Sequence, residues 1–263
     1  MTGACPLHFD LHTDEISLNR VNDLLNPSLA KRPWYRFLSS EGSGIPYLLT
    51  ANVAGKLSAK RVVIHALTAT GFSATVELKS GHLQLSEMRA DMLGGKHHGE
   101  WRADFTGPTP QYTGSGTLQK VSLLQLASTM HDGWITGTAN ATYRASLSGL
   151  NATDMYSSAS GTLQVEAWEA VLPHIMLTDG ASPLQIHHLT SSLLLQNGKF
   201  EIKDCRLQTP AASYDLSGTA SFARVLNLKL TRDGAPGFAI TGTLAEPRVE
   251  ELTRSETQAA LKP

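Results

Sequence analysis

Residues 134–149 read WITGTANATYRASLSG, the cleanest period-two segment of the chain. Ile135, Gly137, Ala139, Ala141, Tyr143, Ala145 and Leu147 fall on one side of an extended backbone, and Thr136, Thr138, Asn140, Thr142, Arg144, Ser146 and Ser148 on the other. Successive strand side chains point to opposite faces, so this alternation predicts a long β-strand with one apolar and one wet face. Inside it lies a short motif, Ser or Thr followed by Gly-Thr and then Leu or Ala, centred on Gly137 and repeated around Gly116, Gly161, Gly218 and Gly242. The spacing is in the low twenties, with one longer gap between Gly161 and Gly218. A period of that size is about one strand pair per repeat, which suits an elongated sheet better than a propeller with blades of roughly 40 residues.

The turns on either side agree with a meander. If Ser80-Gly81 is a two-residue hairpin turn, Leu78 faces Leu83 and Val76 faces Leu85, so both strands put apolar residues on one face. Asn197-Gly198 pairs Leu195 with Phe200 and Leu193 with Ile202 in the same way, and a looser turn centred on Gly234 sets Leu230 opposite Phe238 and Leu228 opposite Ile240. Further strands are predicted around Phe72, after a Gly94-Gly95 turn over residues 100–105, at 161–168 with Leu163 and Val165, and at 213–222, 225–231 and 238–244. Glu246-Pro247 is expected to stop the last of them. Residues 7–12 read as a short strand and residues 17–25 as a short helix capped by Ser17. Trp34, Phe37 and Leu38 share one helical side of residues 31–38, and residues 121–130 read as a helix with Ser122 as its cap. The expected division is a lead-in over 1–45, a repetitive β domain over 46–252 and a polar tail over 253–263.

Composition narrows what such a fold does. A net charge of −1 over 263 residues, with mixed signs, creates no long-range field for nucleic acid. Cys5 and Cys205 lie too far apart in sequence to define a disulfide framework or a metal-ligand spacing. His8 and His12 are four residues apart, about 13 Å in a strand and too far to share one ion. His97-His98 and His187-His188 point to opposite faces if they lie in strands. No nucleophile elbow, phosphate loop, zinc-protease helix or dinucleotide fingerprint is present. Glu166 and Glu169 are explained by a wet strand face. The expectation is a non-enzymatic protein with no metal and no cofactor.

What remains is a long sheet with one apolar face and few helices to cover it. Such a face has to meet another sheet, a helix, a protein or a lipid. The small side chains around Ala139 and Ala141 leave room above the strand, as a lipid groove requires. A core closed by the Leu18 and Leu123 helices or by a second sheet is the other reading.

The order of segments resembles the C-terminal region of the AsmA-like family. The matching segments are FDLHTDEISLNRVNDLLNP, SGHLQLSEMRADMLGGKHHGEWRADF, GTLQKVSLLQLAS, WITGTANATYRASLSG, SGTLQVEAWE, YDLSGTASF and FAITGTLAEPRVE. The Gly-x-Leu-x-Leu before Gly94-Gly95 and the closing Gly-Thr-Leu-x-x-Pro at 242–247 are typical of it. The resemblance implies a mainly β fold, an elongated, curved antiparallel meander or groove with short helices near the N-terminus and middle. It also implies a place among bridge-like envelope proteins related to TamB and YhdP, with phospholipid as partner in transport toward the outer membrane or in outer-membrane assembly. The implied setting is the periplasm, within a longer, inner-membrane-anchored parent chain, with inner- and outer-membrane proteins as further partners. The lipid-contacting face would then comprise Phe72, Val76, Leu78, Leu83, Leu85, Ile135, Ala139, Ala141, Tyr143, Leu147, Leu163, Val165, Leu193, Leu195, Phe200, Ile202, Leu228, Leu230, Phe238 and Ile240. The alternative is a scaffold whose apolar face binds a membrane-protein partner.

Overall fold

A computed structural model of the chain describes residues 7–17, 47–64, 66–149, 152–177, 182–232 and 235–252. Among them the fold is mainly β. The strands are β1 (Leu7–Ser17), β2 (Asn52–Ile64), β3 (Leu67–Lys79), β4 (His82–Met92), β5 (Gly95–Asp104), β6 (Gln111–Ser122), β7 (Thr136–Ser148), β8 (Ser160–Leu172), β9 (Leu184–Gln196), β10 (Lys199–Gln208), β11 (Ser213–Ser221), β12 (Val225–Thr231), β13 (Phe238–Thr243) and β14 (Pro247–Glu251). They form a 14-stranded sheet in which spatial order follows sequence order, with β1 and β14 at the edges. Short helices α1 (Leu123–Thr129) and α2 (Ala152–Ser158) follow β6 and β7, and Tyr47–Thr50 makes a single helical turn before β2. The chain divides into two compact units. One runs to Leu118 and includes Arg144–Ala159; the other comprises Gln119–Tyr143 and the residues from Ser160 onward.

The hairpin arithmetic holds in register. Leu78 pairs with Leu83 and Val76 with Leu85, Leu195 with Phe200 and Leu193 with Ile202, and Leu230 with Phe238 and Leu228 with Ile240. Ser80-Gly81 and Asn197-Gly198 have positive φ at both positions, the type I′ geometry whose twist matches the flanking strands. Helix α1 starts as predicted, with the Ser122 hydroxyl accepting from the Gln125 N–H at 3.3 Å. Leu123 and Ala127 are buried and Leu124 is exposed.

Several boundaries differ. The third tight turn is Leu93-Gly94 rather than Gly94-Gly95, with Gly95 already paired to Met92. Pro247 does not end the sheet but opens β14 opposite Gly242, because the first residue of an edge strand can dispense with an N–H donor. The meander is not antiparallel throughout, since β1 runs parallel to β2. Ser17, predicted to cap a helix, is paired with Val63 at the end of β1; the helix itself, the 31–38 segment, Cys5 and the 253–263 tail lie outside the described residues. Helix α2 had no counterpart in the sequence reading.

A strand of ten or more residues keeps its apolar side chains on one face only while alternation is unbroken, and here it is repeatedly broken and restored. In β4 the apolar residues are Leu83 and Leu85, then Met88, Ala90 and Met92, one step out of phase. The inserted residue, Glu87, sits at φ 52°. Leu163, Val165 and Ala167 in β8 give way to Ala170 and Leu172 across Glu169 at φ 47°, and β6 shifts at Lys120, φ 52°, whose N–H donates to Asn140 Oδ1 at 2.8 Å. In β10 the register shifts between Ile202 and Asp204, moving from Phe200 and Ile202 to Cys205 and Leu207. Each inserted residue is an extra count in the strand, and side chains beyond it return to the same face. In β8 and β9 the shifts coincide. Glu169 stands opposite His187, 3.4 Å away, and the pairing on either side is undisturbed.

The recurring Gly-Thr motif has a backbone cause. Gly137 and Gly218 adopt φ 114° and 121°, and a Cβ at Gly218 would lie 2.2 Å from the Asn227 carbonyl oxygen, one at Gly137 2.8 Å from Ala170 Cα. At Gly137, Gly218 and Gly242 the motif marks places where neighbouring backbone approaches too closely for a side chain. Gly218→Val is therefore expected to destabilise the fold by about 3 kcal/mol or more, read as a lowered denaturant midpoint. The neighbouring wet-face Thr219→Val should stay within about 0.5 kcal/mol.

Candidate apolar binding face

Cross-strand registers assemble the apolar side chains into rows. In the first unit one row runs Leu7, Val53, Leu78, Leu83, Ala103 from β1 to β5, and the next runs Phe9, Gly55, Val76, Leu85, Trp101. At about 4.8 Å per strand each row spans roughly 19 Å. In the second unit one row runs Leu163, Leu193, Ile202, Gly218, Leu228, Ile240, Val249 from β8 to β14, roughly 29 Å, and beside it runs Gly161, Leu195, Phe200, Ala220, Leu226, Gly242, Pro247. No polar side chain interrupts these rows. At two glycines an aromatic ring takes the place of a side chain. Phe9 lies against Gly55 and Trp101 against Gly114, each at distances a Cβ would violate.

The predicted face residues fall into two groups. Phe72, Val76, Leu78, Leu83, Leu85, Ile135, Ala141, Tyr143, Leu147, Leu163, Val165, Leu193, Leu195, Phe200 and Ile202 are half-buried. Ala139, Leu228, Leu230, Phe238 and Ile240 are buried, Ile240 and Ala139 to 2% exposure. The expectation of open room above Ala139 and Gly137 is thus corrected: the strand there lies close against neighbouring backbone. Over β12 and β13 the face is a packed core that also takes in Ile186 and Leu207. The β8–β9 connection reaches these strands, since His174 Nδ1 is 3.2 Å from the Leu244 carbonyl oxygen and Ile175 beside it is buried.

Residues beyond the phase shifts escaped the sequence reading: Met88, Ala90 and Met92 in β4, Ala170 and Leu172 in β8, Cys205 and Leu207 in β10. Their signal is an alternation that resumes one residue late. Trp101 and Tyr112 also join the face. Phe105 and Tyr112 meet edge to face at 6.2 Å, and the Tyr112 hydroxyl is buried without a hydrogen-bond partner, with its pKa pushed up to about 12 by desolvation.

The wet face is laced with ion pairs. Lys60–Asp14 at 2.7 Å and Lys96–Asp91 at 3.3 Å are examples, and Glu166 meets His188 at 3.0 Å. Glu166 and Glu169 thus each have a histidine partner. His97 is buried and His98 exposed, and burial together with the adjacent His98 lowers the pKa of His97. The Thr106 hydroxyl and N–H, 2.6 and 2.8 Å from Asp104 Oδ1, hold the Asp104 carboxyl below its ordinary range. Depressions of about 540 Å³ beside Lys79, Arg102 and Asp104, and of about 640 Å³ beside Lys203, Arg206 and Asp215, open among wet-face side chains of both signs. Among the described residues no cluster of His, Cys, Asp and Glu is placed to hold a metal ion, and no helix is long and apolar enough to cross a membrane. Compared with protein-family models, curated proteins and solved structures, the chain matches none.

The buried hydroxyl gives a test of the face. Because the folded pKa lies above the ordinary value of 10, the folded state holds the Tyr112 proton longer than the unfolded chain, and its stability declines as pH rises from 10 toward 12. Tyr112→Phe should remove the latest phenolate transition in an ultraviolet titration. It should leave stability unchanged or raise it by up to about 1 kcal/mol, because an unsatisfied buried donor is lost.

Proposed function

We propose that this chain is a non-enzymatic, AsmA-like envelope module whose apolar sheet face holds phospholipid acyl chains in transport toward the outer membrane or in outer-membrane assembly. In this reading it works in the periplasm as part of an inner-membrane-anchored protein. The observation that carries it is the continuity of the apolar rows. Each methylene moved from water is worth about 0.8 kcal/mol, so a single polar break in the path of an acyl chain would raise a barrier of several kcal/mol. The half-buried stretches Val53, Leu78, Leu83 and Leu163, Leu193, Ile202, each running strand to strand, present no such break. The phase shifts support the same reading. They spend backbone regularity to keep the face dry over the length of β4, β6, β8 and β10.

Acyl contact belongs to the half-buried side chains, among them Val76, Leu83, Leu85, Leu163, Leu193, Leu195 and Ile202. Leu228, Leu230, Phe238 and Ile240, buried on the same face, form the packed core beside these side chains.

The full chain, purified from bacterial membranes in mild detergent and sprayed under native conditions, should carry phospholipid. Leu85→Glu should lower the bound phospholipid at least about fivefold without changing the circular dichroism of the strands, since a carboxylate on the row is costly to desolvate. The wet-face change Gln84→Glu should leave it unchanged. A wild-type chain without phospholipid, or a Leu85→Glu chain that keeps it, defeats the proposal; retention of a membrane-protein partner instead would favour the scaffold reading.

A further inference from the structure

The second unit ends in a cluster of hairpin tips. The β9–β10 turn at Asn197-Gly198, the β11–β12 turn over 222–224 and the β13–β14 turn over 244–246 are stitched together. The Phe222 N–H donates to the Gly198 carbonyl at 3.2 Å and the Leu244 N–H to the Arg224 carbonyl at 3.0 Å. The β8–β9 connection arrives at the same place through His174 and Leu244. Large apolar side chains gather here in the open: Met176 is 47% exposed, Phe222 42% and Val225 52%. Exposed apolar residues scattered singly need no explanation, but a group on adjoining turns does.

Phe222 ties this group to the apolar face, while Val225, paired with Thr243 one step before Leu226, lies on the other side of its strand. The Phe222 ring meets that of Phe200 edge-on at 5.1 Å, and Phe200 belongs to the row from Gly161 to Pro247. Cations frame it. Lys199 and Arg224 stand on these turns with Glu246 as the carboxylate among them. Arg224 occupies φ 63°, a region that glycine or asparagine enters with least strain, so the turn carries a cation where the backbone alone favours neither charge nor bulk. Aromatic and aliphatic tips flanked by Lys and Arg suit a lipid interface. The rings enter the boundary between headgroup and acyl chain, and the cations snorkel to the phosphates.

We propose that these hairpin tips dock on an anionic phospholipid bilayer, with Phe222, Val225 and Met176 in the headgroup boundary and Lys199 and Arg224 on the phosphates. The inference rests on the reading of the face as an acyl-chain surface, because docking here brings the Phe200 row to the bilayer and spares an entering or leaving chain a passage through water.

Flotation of the full chain with vesicles tests it. Wild-type protein should float with phosphatidylglycerol–phosphatidylethanolamine vesicles and weakly with phosphatidylcholine alone. Phe222→Ser with Val225→Ser should lower the floated fraction about fivefold on the anionic vesicles. Lys199→Glu with Arg224→Glu, a surface change that spares the apolar contacts, should lower it about tenfold there. Wild-type protein that floats with neither vesicle, or variants that float like wild type, overturn the docking. Self-association abolished by Phe222→Ser, without flotation, overturns it too and makes the patch a contact between copies. Phospholipid carried by the purified chain is read separately by native mass spectrometry. Tip variants should keep it, while a chain that floats but carries none supports docking and overturns the acyl-chain reading.

Discussion

Alternation of side chains along a strand is the constraint on which this structure depends. A sheet with one apolar face tolerates little error, since a one-residue slip would carry every following side chain to the wrong face. The strands are long, 13 residues in β2, β3, β7, β8 and β9, and their right-handed twist cannot be maintained over that length without local adjustment. The inserted residues Glu87, Lys120 and Glu169 make the adjustment. They are polar and point to water, while the apolar residues beyond them are returned to the shared face. The Asn140 side chain that accepts from the Lys120 N–H shows how the backbone donor freed by such an insertion is satisfied.

The same constraint explains how the two faces and the edges divide the chemistry. Charged groups are confined to the wet face, where they pair across strands at surface geometry, each pair worth a few tenths of a kcal/mol. The histidines, which in number invite a metal reading, are dispersed: alternation puts His97 in and His98 out, whereas the phase shift at His187 leaves His187 and His188 both with wet-face carboxylates, Glu169 and Glu166, rather than on opposite faces. The edge strand β14 begins with Pro247 and continues through Arg248, Glu250 and Glu251, a combination that discourages pairing with another chain. The apolar face is thereby left as the large surface without a charge pattern of its own.

Much of this was legible in the chain. Wherever a tight turn and an uninterrupted alternation occurred together, as at Ser80-Gly81 and Asn197-Gly198, the register followed from counting. The Gly-Thr motif was legible as a repeat but not as a backbone contact, since nothing local to Gly218 reveals that the Asn227 carbonyl lies 2.2 Å from its missing Cβ. Phase shifts were the main obstacle. A run such as Leu163, Val165, Ala167, then Ala170 and Leu172 reads as a strand that fades, because Glu169 at positive φ is a backbone event without a residue signature. The burial of Leu228 and Ile240 was hidden as well, since nothing in their own alternation distinguishes them from the half-buried Leu193 and Ile202. Likewise the parallel pairing of β1 depends on a crossover that period-two counting does not describe.

The strict agreement of spatial and sequence order governs how the chain is made as well as how it is built. Each antiparallel strand meets its partner across a short connection, so loop-closure entropy is small at every step and pairing can advance like a zip along the emerging polypeptide. The bond from His174 to the Leu244 carbonyl breaks that locality. It joins residues 70 positions apart and has no partner until β13 has been synthesised. During synthesis the β8–β9 connection must therefore wait for this contact, and the last strands both complete the sheet and supply a partner to the segment that preceded them.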